Sequence, residues 1–505
     1  MSFSRGRLSR FIVQFSCASL SRRGSPWQES RVASKPARPS ADKARRGGIS
    51  GIFARRATRS AGMHRPSNAV GPLPRAAGRA RLTAACALLT LGSQALAQES
   101  DAGHLTLDRA VETALAANPH LAAVAAHAEA LQAVPSQAST LPDPVLGLNA
   151  MNLPTDSFNL RQEPMTQIQL SFSQMIPYPG KRRLMADAAG YEAAAGLARA
   201  EDVRLELSGQ VRAAWWRLFQ HDRALEIVGQ NARLMRDVIQ IAQARYRVGD
   251  GLQQDVLLAQ LELSRLLERE LRLNGMRSRA EAALSALLGR TAGLSIALPP
   301  EPGNNLLPDI PADIELVAAA IASRPALAAE RALMGAARAR LGLAELNLRP
   351  NFTVGAGYGF RGGNDPFRGE RPDFLSVMVG VTVPLYADSK QRKAIEQQNH
   401  EVSRREFAYD DAVRAIQAAI AGHRADYEAA REQVTLLETA IIPQAQQTAA
   451  SMLAGYRVNE VDFLNVVNSQ ITLYNSRINY WEALGTAKAA LAMLAASAGM
   501  EVLYE

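Results

Sequence analysis

The sequence predicts a mainly α protein with a β-barrel contribution, in which long coiled helices and a membrane β-hairpin each occur twice. Three observations predict it: an internal repeat at an offset of about 206–210 residues, apolar stripes of 3.5-residue period, and four short runs of alternating character.

The repeat is carried by several anchors. YRVGDGLQQDVLLAQ, from Tyr246, aligns without gaps on YRVNEVDFLNVVNSQ, from Tyr456. ALAANPHLAA (114–123) matches AIASRPALAA (320–329), pairing Pro119 with Pro325. Pro177, Tyr178 and Lys181 stand as Pro384, Tyr386 and Lys390 do. Residues 98–290 therefore form a first repeat and 313–500 a second. The segment 291–312, with Pro299, Pro300, Pro302, Pro308 and Pro311, is the linker, and 501–505 a short tail.

The helices come next. From Leu207 the apolar positions run through Val211, Ala214 and Leu218. They continue through Leu225, Val228, Ala232, Met235, Ile239, Ala242 and Tyr246, broken only at His221. Leu464, Val467, Ile471, Tyr474, Ile478 and Trp481 repeat the pattern. A sustained 3.5-residue period means supercoiled helices whose side chains interlock. The stretch from Lys181 to Val248 would be roughly 100 Å long at 1.5 Å per residue, far more than a globular core needs. The helical stretches before each hairpin and after each turn sum to about that length, so end to end they fit beside it as a partner.

The strands are the third element. Residues 165–175, 351–360 and 374–383 alternate apolar with small or polar side chains, and 144–152 does so more weakly. Runs of about 9–11 residues with this split suit a strand with lipid on one face and water on the other. The competing reading is two half-buried hairpins of a soluble domain. Polar loops, 153–164 and 361–373, join the pairs. Four strands cannot close a barrel, and an open edge in lipid leaves backbone groups unpaired, so strands must be pooled between copies. Two copies would supply eight strands and three would supply twelve, the larger number leaving an open lumen.

Residues 1–97 hold 18 Lys and Arg against Glu29 and Asp42, which leaves 39 basic and 46 acidic residues, a net of −7, in the rest. The high overall pI thus belongs to a leader and argues against a nucleic-acid partner. Arg75, Arg79 and Arg81 precede the apolar run LTAACALLTLGSQALA, which ends in Ala95-Leu96-Ala97, the layout of a secretory signal cleaved after Ala97. Residues 63–97 are expected to be that signal. Residues 1–62 read as an over-long gene start, with a transit peptide or a basic arm as alternatives. Both cysteines, Cys17 and Cys86, fall in the leader, so the exported chain is expected to have no thiol, disulfide or cysteine metal site. Leu82-Thr83-Ala84-Ala85-Cys86 is a poor lipid-attachment motif.

Catalytic chemistry is not written into the chain. It carries no phosphate loop, nucleophile elbow or HExxH motif, and the expectation is no enzyme activity, no cofactor and no resident metal. His120 and His127 alone share a helix face, and Trp215, Trp216 and Trp481 read as interhelical packing.

LTLDRAVETALAANPHL, the paired YRVG and YRVN turns, the duplicated halves and the hairpin placement resemble the TolC-type outer-membrane efflux factors across 104–500. The resemblance implies a homotrimer in outer-membrane lipid: a twelve-stranded barrel continued by a twelve-helix periplasmic tunnel. It would work as a passive exit duct with a periplasmic adaptor and an inner-membrane pump. SQMIPYPGKR (173–182) is similar to the strand-to-helix junction of members serving heavy-metal cation pumps, which implies an RND-type cation pump. Drug efflux and type I secretion are family alternatives. A periplasmic coiled-coil scaffold is the rival from another class.

If the hairpins mark the membrane end, the turns after Tyr246 and Tyr456 lie at the far, periplasmic end. There Gly or Asn would supply the left-handed conformation that a tight reversal needs. By the resemblance, Gly249, Gly251 and Asn459 are candidate adaptor-docking residues. Asp250, Asp255, Glu460 and Asp462 would form a ring of negative charge at the aperture, favouring cations. Their plainer reading is solvation and capping of helix ends.

Overall fold

In the computed structural model, residues 103–303 and 305–503 are described. The expected leader, 1–97, with its segments 1–62 and 63–97 and both cysteines, lies outside the described residues. The first half comprises α1 (Leu107–Ala117), α2 (Pro119–Gln132), α3 (Val134–Ser139), β1 (Val145–Met151), β2 (Gln167–Ile176), α4 (Lys181–Val248) and α5 (Gln253–Leu287). The second comprises α6 (Asp313–Ser323), α7 (Pro325–Leu346), β3 (Asn351–Phe360), β4 (Asn364–Asp365), β5 (Gly369–Glu370), β6 (Phe374–Thr382), α8 (Gln391–Leu436), a π turn (Leu437–Ile441), α9 (Ile442–Arg457) and α10 (Phe463–Ser497).

Helix α4 is unbroken over 68 residues, on the order of 100 Å. On one side it packs against α2, α3 and α5, which together run its length; on the other lie α7 and α10. Helices α7 and α10 in turn pack against α8, and α10 against α9. The short columns break where proline requires it. Asn118 and Arg324 both sit in extended backbone before a proline that opens the next helix, because a residue preceding proline is pushed out of the helical region. The Asn118 side chain accepts from the N–H groups of His120 and Leu121 and donates to the Leu287 carbonyl at 2.9 Å. Arg324 performs the matching task in the second half, donating to the Ser497 carbonyl at 3.1 Å and to Asp202 at 3.2 Å.

The second long rod departs from the expected plain helix. Pro443 has no N–H for the carbonyl four residues back, and its ring crowds that group; the π turn Leu437–Ile441 opens the ladder just before it. The turn also houses one extra residue. Before it, buried positions of the two rods correspond at an offset of 209: Leu207 with Ile416, Val211 with Ile420, Leu218 with Tyr427. After it they correspond at 210, as Met235 does with Ala445.

Core positions follow the apolar stripes, with two exceptions at the tips. Tyr246 is 49% exposed and Leu464 51% exposed. Helix α4 ends two residues after Tyr246, so no neighbouring turn covers it, and Phe463 takes the buried place beside Tyr456, ring centres 5.4 Å apart. Midway along the rods the tryptophans sit in the packing. Trp215 stacks on Phe219 at 5.2 Å and donates its indole N–H to the Leu105 carbonyl at 2.9 Å. His221, the break in the stripe, is partly buried, and burial together with Arg217 holds its imidazole below its ordinary value.

The two hairpins pair with each other in one antiparallel sheet, ordered β1-β2-β3-β6. Its register sets apolar rows across the strands: Leu148, Leu170, Tyr358 and Leu375 in one, and Leu146, Phe172, Ala356 and Val377 in another. Gly147, Ser171, Gly357 and Ser376 form a row on the opposite face. Gly357 leaves space there for the Gln169 side chain of the neighbouring strand. Helices α4 and α8 leave the same end of this sheet, one after β2 and one after β6, so both helical turns lie at the distant end. No described helix is long and apolar enough to cross a membrane.

Candidate functional site at the helical tips

The first reversal follows α4. Gly249 takes φ 83°; its N–H donates to the Tyr246 carbonyl, and the Asp250 N–H to the Arg245 carbonyl at 2.9 Å. The second reversal repeats this with a non-glycine residue. Asn459 takes φ 65°, and the Glu460 N–H donates to the Gly455 carbonyl at 2.9 Å. Asn is among the few side-chain-bearing residues that enter this region readily.

Gly251 departs from the expected role, since its φ is not positive. It is needed for close approach instead: a Cβ there would stand 3.1 Å from the Arg245 Cβ and 3.2 Å from the Tyr246 nitrogen. The second tip solves the same crowding from the other partner. Val461 replaces Gly251, and Gly455 replaces Arg245, and the valine methyl lies only 2.6 Å from the point a Gly455 Cβ would occupy.

Freed of that constraint, Arg245 crosses to the other half. Its guanidinium donates to the Tyr456 carbonyl at 2.8 Å and to the Asn459 side-chain oxygen, and lies 4.6 Å from the centre of the Tyr456 ring. The two tips thus share one cleft of about 980 Å³, lined by Arg245, Asp250, Gly251, Asp255, Asn459, Glu460 and Asp462 among others. Of the seven expected residues only Gly249 stands apart, with open space around it. Asp255 is partly buried in the first turn of α5. Burial pushes its carboxyl above the ordinary range and nearby Asp462 adds to this, against the opposing pull of its hydrogen bond to Leu252 and of Arg245. Asp462 holds the N-cap position of α10 and makes no side-chain capping hydrogen bond, so any end effect it has acts through its charge on the helix dipole.

Two features escaped the sequence reading. An apolar fringe surrounds the acids, with Val248, Leu252, Leu257 and Val458 all more than half exposed. Two helical turns above Asp255, Glu262 is buried at 2% exposure between α5 and α10. Tyr474 donates its hydroxyl to Glu262 at 3.2 Å, and Arg265 pairs with the same carboxylate at 3.4 Å. Arg269 lies over the Tyr474 ring and donates to Asn475 at 2.5 Å. A signal existed: Glu262 falls in the buried series Ala259, Glu262, Leu266, Leu273, where an acid is out of place.

Among known proteins, the outer membrane efflux protein family matches residues 110–290 and 316–500. The chain belongs to that family. The cobalt-zinc-cadmium resistance protein CzcC of Cupriavidus metallidurans is 22% identical over 388 residues, 76% of this chain and 87% of that protein. The outer-membrane channel OprN superposes with a TM-score of 0.66 at 19% identity, covering 78% of this chain and 89% of the channel. CusC does so with 0.65 at 14% identity, covering 80% and 96%. This outer membrane efflux protein is therefore an outer-membrane duct with the fold of a TolC-type channel, and its family works in tripartite systems with an adaptor and an inner-membrane pump. The tip cleft belongs to a conduit, and family and fold are those of channels.

Proposed function

We propose that three copies pool their sheets into a twelve-stranded outer-membrane barrel continued by twelve helical columns, and that the tips form its periplasmic aperture. The observation that carries this reading is the four-stranded sheet: its apolar rows are exposed, Leu146 at 72% and Val377 at 78%, and among the described residues β1 and β6 each lack a second partner. Lipid suits such a face, and neighbouring copies suit such edges. A soluble scaffold would leave both unsatisfied.

At the aperture, Asp250, Asp255, Glu460 and Asp462 concentrate negative charge, which attracts cations and repels anions. The cargo proposed is heavy-metal cations, supported by the likeness to CzcC over most of both chains. Gly249, Gly251 and Asn459 shape the surface an adaptor meets, and the apolar fringe of Val248, Leu252 and Val458 gives it something to bury. The pump is proposed to be of the RND cation type. Deleting the gene and measuring growth with zinc, cobalt, cadmium, copper and organic drugs tests the cargo. Selective sensitivity to the metals supports it; sensitivity to drugs alone overturns it.

A further inference from the structure

The sheet and the rods contain one junction between halves and the open sides of another. Inside the chain, β2 and α4 of the first half meet β3, α7 and α10 of the second. Lys181, at the foot of α4, is buried there; its ammonium donates to the Arg349 carbonyl at 3.0 Å and to the Asn351 side-chain oxygen at 2.9 Å. The Tyr178 N–H donates to the same Asn351 oxygen at 3.2 Å. Farther along, α4 approaches α10 closely: a Cβ added to Gly485 would stand 3.2 Å from the Gln220 Cβ.

The repeat places a matching set on the open sides. Lys390 and Tyr386 correspond to Lys181 and Tyr178, yet Lys390 is exposed. Asp143, two residues before β1, corresponds to Asn351, the first residue of β3, each following a proline, and is also exposed. Gly275 corresponds to Gly485 at an offset of 210, and Ala429 to Gln220 at 209. A glycine inside a helix weakens it, so one repeated at the same place in both halves needs a cause. Gly485 has one in Gln220, whereas a Cβ on Gly275 would meet nothing within 4 Å. Since β6 runs parallel to β2, and β1 to β3, pairing β6 with the β1 of a second copy is antiparallel, as β2 with β3 is.

We propose that copies of this chain join in the register of the internal junction, with Lys390 of one copy bound to Asp143 of the next and Ala429 seated on Gly275. The pairing rests on the trimer reading above and adds its residue-level register. Replacing the internal Asn351 by Asp143 turns an ion–dipole contact into an ion pair. The junction between copies is thereby held more by charge than the one within the chain, and it is weakened more by salt.

The test uses the full-length protein in membranes. The variant Gly275→Cys/Ala429→Cys is oxidised and run without reductant; covalent dimers and trimers are expected, absent from each single variant. Gln220→Cys/Gly485→Cys is the internal control, closing within one chain at monomer mass, since these Cβ positions lie near disulfide range. A reciprocal swap, Asp143→Lys with Lys390→Asp, is expected to restore heat resistance of the oligomer lost in either single change. Monomers only from the first variant, with the internal control closed and the oligomer intact, would overturn this register and leave the duct standing. Absence of any oligomer in mild detergent would overturn both.

Discussion

At residue 459 the chain reverses on a left-handed Asn where the first tip uses Gly249, and this difference sets a test. Asn459→Gly keeps the left-handed turn and loses only the side-chain oxygen that accepts from Arg245, whereas Asn459→Val loses that bond as well and destabilises the tip by about 1–2 kcal/mol more, because a β-branched residue resists positive φ. Thermal unfolding of the two variants measures this; equal midpoints would contradict it. A second residue prediction concerns Lys488. Its ammonium donates to the Leu306 carbonyl at 2.6 Å beside Trp216, and burial lowers its pKa to about 8. The folded chain then binds fewer protons than the unfolded chain between about pH 8 and the ordinary lysine value, so Lys488's contribution to stability rises with pH in that window. Lys488→Met should flatten that rise. Gly249 and Asn459 were legible in sequence because left-handed positions select for Gly and Asn, whereas Gly251 serves a close approach that only the folded tip reveals. Arg245 and Glu262 were not, because their partners lie in the other half and depend on which helices become neighbours.

Among the elements, the tips and the π turn each predict a behaviour. Arg245→Ala removes two hydrogen bonds that tie the first tip to the second, a loss of roughly 1–3 kcal/mol for each bond from a charged donor. The expected outcome is a larger single-channel conductance than the wild type; an unchanged conductance would show that the tie does not hold the aperture. The π turn is read as one inserted residue accommodated beside Pro443. Deleting Thr439 alone should destabilise by about 3 kcal/mol, as an interior proline does in a regular helix, while the same deletion with Pro443→Ala should recover most of that. If the deletion alone is tolerated, the account of the turn fails. Long helices, hairpins and their doubling could be read from period and offset, since each is a property of neighbouring residues repeated many times. The π turn was missed because one extra residue barely disturbs a repeat offset, and the adjacent proline was its only mark.

For the whole molecule, duplication places both reversals at one end and both hairpins at the other. It also leaves an apolar sheet with two open edges, which a single chain in water does not satisfy. Burying that face and closing those edges is the physical demand behind a pooled barrel, and the central claim is that assembly meets it with a continuous duct. The most direct measurement is to purify the protein in mild detergent, show its unheated state by electrophoresis and mass, and record it in planar bilayers. The account predicts a heat-sensitive trimer with stepwise, cation-selective conductance. A water-soluble monomer that leaves the bilayer silent would contradict it.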